Sequence, residues 1–561
     1  MKKRAFSQRR LGKKVEKESH FWLIVFGILA TLFLLLFLFL IPLFRLASGS
    51  FSEFVPYTNE LRKANILVLL QNEAELRPTG GFLSGFILFT PKEKERLHFF
   101  DSYAVANPPI PQKAPPAMAK IFAEDPKFSG MVFRDSNFSP DFSESAQETI
   151  RFLRFDPRFA NTKIDVVVAV NFSAVESVIQ LLDPQDSQDL FLSLQRQTKN
   201  INLHSKEEID QRKDFLGDMA HNLFRSASWF RLPKMAQLAT YLADTKKIQV
   251  WFLDEKLQHI AQEKGWTGEF PKNNTAEMPW NGFFGVNVAN LGGKKSDRYI
   301  LRNVTSEITL SPEGGVSERF AIHLQHTGTD NIFSGPERML IRVYHPQGTK
   351  LSETSEEWEQ QSLPEEKVEE FSRVISLDPG QSLEIPLVFV FPETWLPNES
   401  HELLWLQQSG TEDDLTLIFR GVGETGFSVD GCDESLLREN ISVCKTRLSR
   451  NRIFTVKLLP DTFPPFLEQA IFEPPREIFT RFSEALAKEF SPDTFELRCD
   501  ENVFVPYQLA RNENDLRDVR LVFGDIVLSE TSPFCELSWK NLSDIFGNTA
   551  SSGTTLRMKF D

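Results

Sequence analysis

The chain has few of the residues on which most metal centres and nucleophilic sites depend. It has 4 Cys and 9 His in 561 residues. No Cys precedes Cys432, so nothing suits a lipid-modified Cys close behind an apolar leader. Cys432, Cys444, Cys499 and Cys535 include no C-x-x-C pair of the kind that holds zinc. There is no H-E-x-x-H, no G-x-S-x-G and no EF-hand loop. Gly292-Gly293-Lys294-Lys295-Ser296 is not a phosphate-binding loop, because Lys295 stands where the motif needs Ser or Thr. His323 and His326 are three apart in an expected strand and so face opposite sides, which argues against a shared metal. No metal site is expected.

Outside the N-terminus the basic residues are outnumbered by the acidic ones. The first 20 residues carry eight Lys or Arg against Glu16 and Glu18, a net of +6, within a total of −14. The remainder therefore carries −20, which excludes nucleic acid as a partner because phosphate binding needs clustered cations. Phe21–Phe44 has no charged residue. Those 24 positions make a helix of roughly 36 Å, enough to cross a bilayer core of about 30 Å. The basic tail stays in the cytoplasm by the positive-inside rule, and the C-terminal bulk lies outside. Ala47-Ser48-Gly49 resembles a signal cleavage site, but the apolar run exceeds the roughly 7–15 residues of a signal core. A retained anchor, contacting the bilayer through Phe21–Phe44, is the expectation. In such a compartment the four Cys form two disulfides. Three pairings are open: Cys432–Cys444 would close a short loop and Cys499–Cys535 would staple a small domain, but the sequence does not choose.

After the tail (1–20) and span (21–44), residues 45–60 read as a linker. Strands are expected at Ile66–Leu70, Phe82–Thr90, Leu97–Tyr103 and Asp165–Val170, and one more at Phe283–Val288. Helices are expected from Ser139-Pro140-Asp141 to about Phe155, after Val170, and over 206–243 and 254–264. The alternation gives an α/β domain over about 61–295. Period-2 segments separated by turn residues then give a β-sandwich over 296–425, at Tyr299–Leu310, Ser317–Gln325, Met339–Tyr344, Ser382–Phe391 and Leu415–Arg420. A Cys-containing connector (426–460) leads to a last β domain (461–561).

Two segments could carry chemistry. Asn72-Glu73-Ala74-Glu75-Leu76-Arg77-Pro78-Thr79-Gly80-Gly81 follows the first strand as a loop, and Arg134-Asp135-Ser136-Asn137 precedes a helix start. Ligands of open α/β sheets gather beyond strand carboxyl ends, where helix N-termini favour anions. Arg77 and Arg134 with Glu75 and Asn72 would make a phosphate-sized site. Asp135, Glu75 or Asp141 would be free to hold a divalent cation or act as a base, with Arg77 and Asp135 the catalytic candidates. The bland alternative is an Arg77–Glu75 ion pair pinning a Gly-Gly turn, with Asp135 and Asn137 capping a helix.

The runs NEAELRPTGGF and RDSNFSPDF resemble an exported bacterial family catalogued as domain of unknown function 4012. So do KIDVVVAVN, ANLGGKKSDRYI and RVYHPQGTKL; together they span about 61–420. The order of strands and the DVVVAVN run also look like the LytR-CpsA-Psr proteins, single-pass membrane enzymes that move glycopolymers from polyprenyl-pyrophosphate carriers to the wall. That likeness implies a matching fold, with Arg77 among the pyrophosphate ligands and Asp165 before the buried strand. Thr79-Gly80-Gly81 and Phe100-Asp101-Ser102 stand where that family carries Arg-Thr-Asp and Pro-Arg-Asp. FTRFSEAL and LSDIFGN in the last domain resemble bacterial Ig-like modules of surface-layer proteins. The expectation is an anchored cell-envelope protein with an assembly or surface-binding role, its partner an envelope glycopolymer or a lipid-linked phosphate. The alternative is a phosphotransferase acting on polyprenyl-linked glycopolymers.

Overall fold

The structure is a computed structural model that describes residues 49–182, 232–271 and 282–559 apart from short internal stretches. The expected span Phe21–Phe44 and the helical pattern over 206–231 lie outside the described residues. Among the described residues no helix is long and apolar enough to cross a membrane. The fold is β-rich and divided into several sheets with a few helices.

The first sheet holds β1 (Ile66–Arg77), β2 (Gly80–Phe89), β3 (Leu97–Asp101), β4 (Val166–Asn171) and β5 (Ile248–Phe252), in the order β3-β2-β1-β4-β5. Only β1 and β4 are parallel. Both faces are covered, which is why β1 and β4 read as continuous apolar runs. On one face lie α1 (Thr58–Leu61), α3 (Phe172–Leu182), α4 (Leu232–Asp244) and α5 (Glu255–Glu263), with α2 (Phe142–Leu153) on the other. The expected linker is part of this body: Phe51 and Phe54 are buried against Trp266 and Phe252. Helix α2 starts two residues after the expected Pro140, because Asp141 is its cap and accepts from the Glu144 amide.

The sandwich contains β6 (Phe284–Asn290), β7 (Ile300–Leu310), β8 (Gly315–His326), β9 (Glu337–Pro346), β10 (Lys350–Leu351), β11 (Glu359–Leu363), β12 (Val368–Leu377) and β13 (Ser382–Thr394). It continues with β14 (Ser400–Leu406), β15 (Asp413–Arg420), β16 (Phe427–Asp430), β17 (Glu434–Arg438), β18 (Ile441–Leu448) and β19 (Arg452–Leu458). Two seven-stranded sheets result, β10-β13-β8-β7-β15-β18-β17 and β11-β12-β9-β6-β14-β19-β16. Two expectations are corrected here. The strand at Phe283–Val288 forms, but as β6 it pairs with β9 and β14 of the sandwich and not with the α/β sheet. The expected connector 426–460 supplies strands β16 to β19 to both sandwich sheets, so it is core and not a tether.

The last domain packs β20 (Leu467–Glu473), β21 (Glu477–Phe482), β24 (Gln508–Arg511) and β25 (Asp518–Val522) in one sheet. The other holds β22 (Phe495–Cys499), β23 (Asn502–Phe504), β26 (Phe534–Ser543), β27 (Thr549–Thr554) and β28 (Met558–Lys559). One apolar core lies between them. The pairings left open by the sequence are Cys432–Cys444 and Cys499–Cys535, with no free thiol. The first pins the β17–β18 edge; the second joins facing residues of β22 and β26.

Candidate functional site

The motif Asn72–Gly81 is not a loop. Strand β1 continues through it to Arg77, Pro78-Thr79 makes the turn, and Gly80-Gly81 opens β2. The pairing skips between Asn72 and Leu76, so Glu73, Ala74 and Glu75 bulge out. The two glycines answer to this bulge. A Cβ on Gly81 would lie 2.2 Å from the Asn72 carbonyl carbon, and one on Gly80 2.4 Å from Gln71 Oε1. The backbone is therefore approached closely by the protein's own side chains and strand, and not by a ligand.

Past the bulge the hairpin tip drives into the sandwich. Arg77 is 9% exposed, and both terminal nitrogens of its guanidinium are bonded within the protein. Nη1 donates to Leu76 O (3.1 Å) and Asn290 O (2.7 Å), and Nη2 pairs with Glu75 at 2.8 Å. The Arg77 carbonyl accepts from Gln408, the Pro78 carbonyl from Asn287, and the Leu76 amide donates to Asp297. Nearby, Lys246 Nζ donates to Gln407 O at 2.8 Å and Ser409 bridges Lys246 O and Asn171. Burial pushes the Lys246 amine down to about 8. These contacts join the α/β body to the sandwich through a buried polar seam.

The helix starts offered to an anion are also filled. Glu73 accepts from the Phe172 and Ser173 amides (2.7 and 3.1 Å) and so occupies the N-terminus of α3. Its carboxyl is nonetheless held above the usual range, because burial outweighs those bonds. At α2, Asp141 accepts from Glu144 N and Phe270 N, and Phe142 N donates to Gly268 O. Burial raises Asp141 to about 6.

The expected site residues are neighbours, but mostly spent ones. Asp135 takes the Val132 amide and Asn137 donates to Gly81 O, which secures the turn beside the hairpin. Asp135 is raised by burial and pulled back by the charges of Arg134 and Arg77. Asn72 accepts from its own Ala74 amide. Arg134 stacks over Tyr103, 4.6 Å from the ring centre. Asp165 accepts from Asn65 N at the opposite end of β1, eleven residues or about 36 Å from Arg77 along the strand direction. Arg77 and Asp165 do not converge.

Two cavities flank the seam. One of about 850 Å³ lies between the bulge, the start of α3 and strands β7, β8 and β13, and its described lining has seven acidic side chains against three Arg. Of those, Arg302 is paired to Asp413 at 2.6 Å and Arg447 to Glu412 at 3.1 Å. The other, about 550 Å³, covers the start of α2 and has five acids against Arg342 alone. Neither balance suits a phosphate. Among the described residues no group of three His, Cys, Asp or Glu side chains gathers as metal ligands. Sequence reasoning passed over Gln408, Lys246, Asp297 and Glu337, which work in or beside the seam. The only trace they leave is polarity inside apolar strand patterns, and Glu337 at the head of β9 is the plainest case.

Residues 62–198 match the family described as "Protein of unknown function (DUF4012)". No curated protein matches the chain. Among solved structures, the chain is similar over 32% of its length to a candidate nutrient binding protein of Legionella pneumophila, at 7% identity over 71% of that chain and a TM-score of 0.21. It is similar over 35% of its length to an M1 zinc metallopeptidase of Deinococcus radiodurans, at 9% identity and a TM-score of 0.18. It spans about half (51%) of that peptidase. Scores this low carry no argument about function.

Proposed function

We propose that this is a membrane-anchored, extracytoplasmic cell-envelope protein that binds or assembles surface polymer and does not catalyse its transfer. The observation that carries this reading is the engagement of Arg77, whose guanidinium is divided among Glu75, Leu76 O and Asn290 O. A transferase of the LytR-CpsA-Psr kind would need that group on a pyrophosphate. Two disulfides support an oxidising compartment, and the span Phe21–Phe44 supplies the anchor. The final domain, with its Asp544–Asn548 closing turn, suits an Ig-like module that spaces the protein on a surface.

One observation favours the transferase. Arg134 and Lys295 make no hydrogen bond or ion pair among the described residues, and both lie within the field of Glu75 or its neighbours. Incubating the full chain in detergent with a polyprenyl-pyrophosphate-linked oligosaccharide and magnesium decides between the two. Binding of the saccharide with the carrier intact is expected. Release of polyprenyl phosphate or pyrophosphate would overturn the reading.

A further inference from the structure

Beside the seam, two loops are locked face to face. Ser296 Oγ donates to Gly335 O, Gly335 N donates back to Ser296 Oγ, and Leu291 N donates to Arg338 O. This sets Asp297 against Glu337. Glu337 is wholly buried, and among the described residues neither of its carboxyl oxygens has a hydrogen-bond partner. The neighbouring Ser296 hydroxyl has a single proton, directed at Gly335 O, and turning it to Glu337 would give up that bond. Asp297 spends Oδ2 on Leu76 N and Asn290 Nδ2, leaving Oδ1 unbonded among the described residues, and it lines the 850 Å³ cleft. Arg77 gives its ion pair to Glu75, so that pair is neutral as a unit. Lys295 lies nearby within the field of Glu75, and Arg298 lines the same cleft. Asp297 thus stands at the cleft wall with Glu337 buried behind it, and the nearest charge acting on both, Arg77, is already paired to Glu75. A buried carboxylate with no donor and no counter-ion is costly, and native structures answer such groups with a water, a proton or an ion.

We propose that Glu337 and Asp297 hold a hard divalent cation of the calcium type just behind the wall of the interdomain cleft. Glu337 would bind through both oxygens and Asp297 through Oδ1. Backbone oxygens and water entering from the cleft would complete an all-oxygen shell. Among the described residues no third carboxylate, His or Cys gathers there as a ligand, so the donor set does not suit zinc or copper. The role is positional: the cation would tie the loop before β7 to the start of β9, directly under the hairpin tip. The inference goes beyond the envelope reading and does not depend on it. The rival is one proton shared by the two carboxyls.

The test uses the full chain in detergent, treated with chelator and then titrated with calcium chloride or magnesium chloride at pH 7.5. Calorimetry should show one cation per chain, with calcium bound more tightly than magnesium, and the melting temperature should rise with it. Glu337→Gln should weaken calcium binding at least about tenfold. The same variant should melt at or above the metal-free wild type, because the amide removes a buried charge at constant shape. Asp297→Asn should weaken binding while still accepting from Leu76 N. No calcium or magnesium response in the wild type would overturn the proposal, as would an undiminished response in Glu337→Gln. A melting temperature indifferent to calcium but falling as pH rises, with the fall abolished in Glu337→Gln, would assign the pair to the shared proton and overturn it too.

Discussion

The seam between the α/β body and the sandwich and the interior of the last domain are held by different means. The seam is made of buried polar bonds: Arg77 to Glu75 and Asn290, Gln408 to Arg77 O and Val288 O, Lys246 to Gln407 O. The last domain rests on an apolar core of residues such as Phe482, Leu497, Leu521 and Trp539, with Cys499–Cys535 across two of its strands. The hydrogen bonds and ion pairs described for its strands close within it, such as Arg481 with Asp515 and Arg511 with Leu486 O. Apolar burial tolerates small errors of position, whereas a buried polar group left without its partner pays the full desolvation cost. The seam should therefore respond sharply to single polar substitutions and to pH, and the last domain to reductant.

The largest effect is expected from Arg77→Ala. It strands Glu75 and the Asn290 carbonyl inside the seam, and breaking a buried pair costs about 3–5 kcal/mol. Thermal melts should show the α/β and sandwich transition falling while the last domain's transition stays in place. A uniform fall would erase the contrast between the two regions.

Next comes the Cys499→Ser and Cys535→Ser double variant. Loss of the cross-link should cost about 2–4 kcal/mol, chiefly through the unfolded chain. The expected result is early protease cutting confined to about 465–560, with the seam's transition unmoved. Cleavage spreading into β6 to β19 would show that the regions are coupled.

Gln408→Ala ranks third. Its side chain bonds Arg77 O, Val288 O and Val288 N, so the variant should cost about 1–3 kcal/mol and spare the last domain. A loss below 0.5 kcal/mol (roughly the scale of a surface change) would mean that water replaces the amide.

The smallest effect sharpens the comparison through pH. Burial raises Asp141 to about 6, and Asp297 and Glu337 also lie above the usual carboxylate range, Glu337 further through the charge of Asp297. The folded chain keeps protons that the unfolded chain gives up, so stability falls as pH rises from about 4. For Asp141 the fall ends near pH 6, and for the other two it continues to their own raised values. Lys246 has the opposite sign: its folded amine loses its proton near pH 8 while the unfolded amine keeps one to about 10.4, so its share recovers above pH 8. In metal-free protein the seam should melt a few degrees lower at pH 7.5 than at pH 5. The last domain should hardly move, because Asp515, paired with Arg517 and Arg481, sits below the usual range and stays ionised throughout.

Much of the fold was legible, because strand period and burial coincide. β7 alternates buried and half-exposed positions along Val304–Leu310, and β4 reads as a strand covered on both faces. The allegiance of β6 was not legible, since an apolar run carries no mark of which sheet it joins. Strands β16 to β19 were passed over because the Cys432–Cys444 pair drew attention to a loop in a segment whose alternation is plain in Ile441–Leu448. At the candidate site the sequence identified the right residues and misjudged their work. Arg77, Glu75 and the glycines look the same in a string whether they face a ligand or a neighbouring domain. What separates the cases is Asn290, 213 positions away, and Gln408, 331 positions away.

The central claim is that Arg77 is a strut of the seam and not a ligand for phosphate. Arg77→Lys tests it most directly, because an ammonium keeps the charge but cannot divide itself among Glu75, Leu76 O and Asn290 O. Thermal melts and calorimetry with a polyprenyl phosphate should be run together on the full chain. The account predicts a lowered melting temperature for the variant and the same response to the phosphate in both proteins. An unchanged melting temperature with a ten- to hundredfold loss of phosphate affinity, roughly the value of a charge-assisted bond, would contradict it.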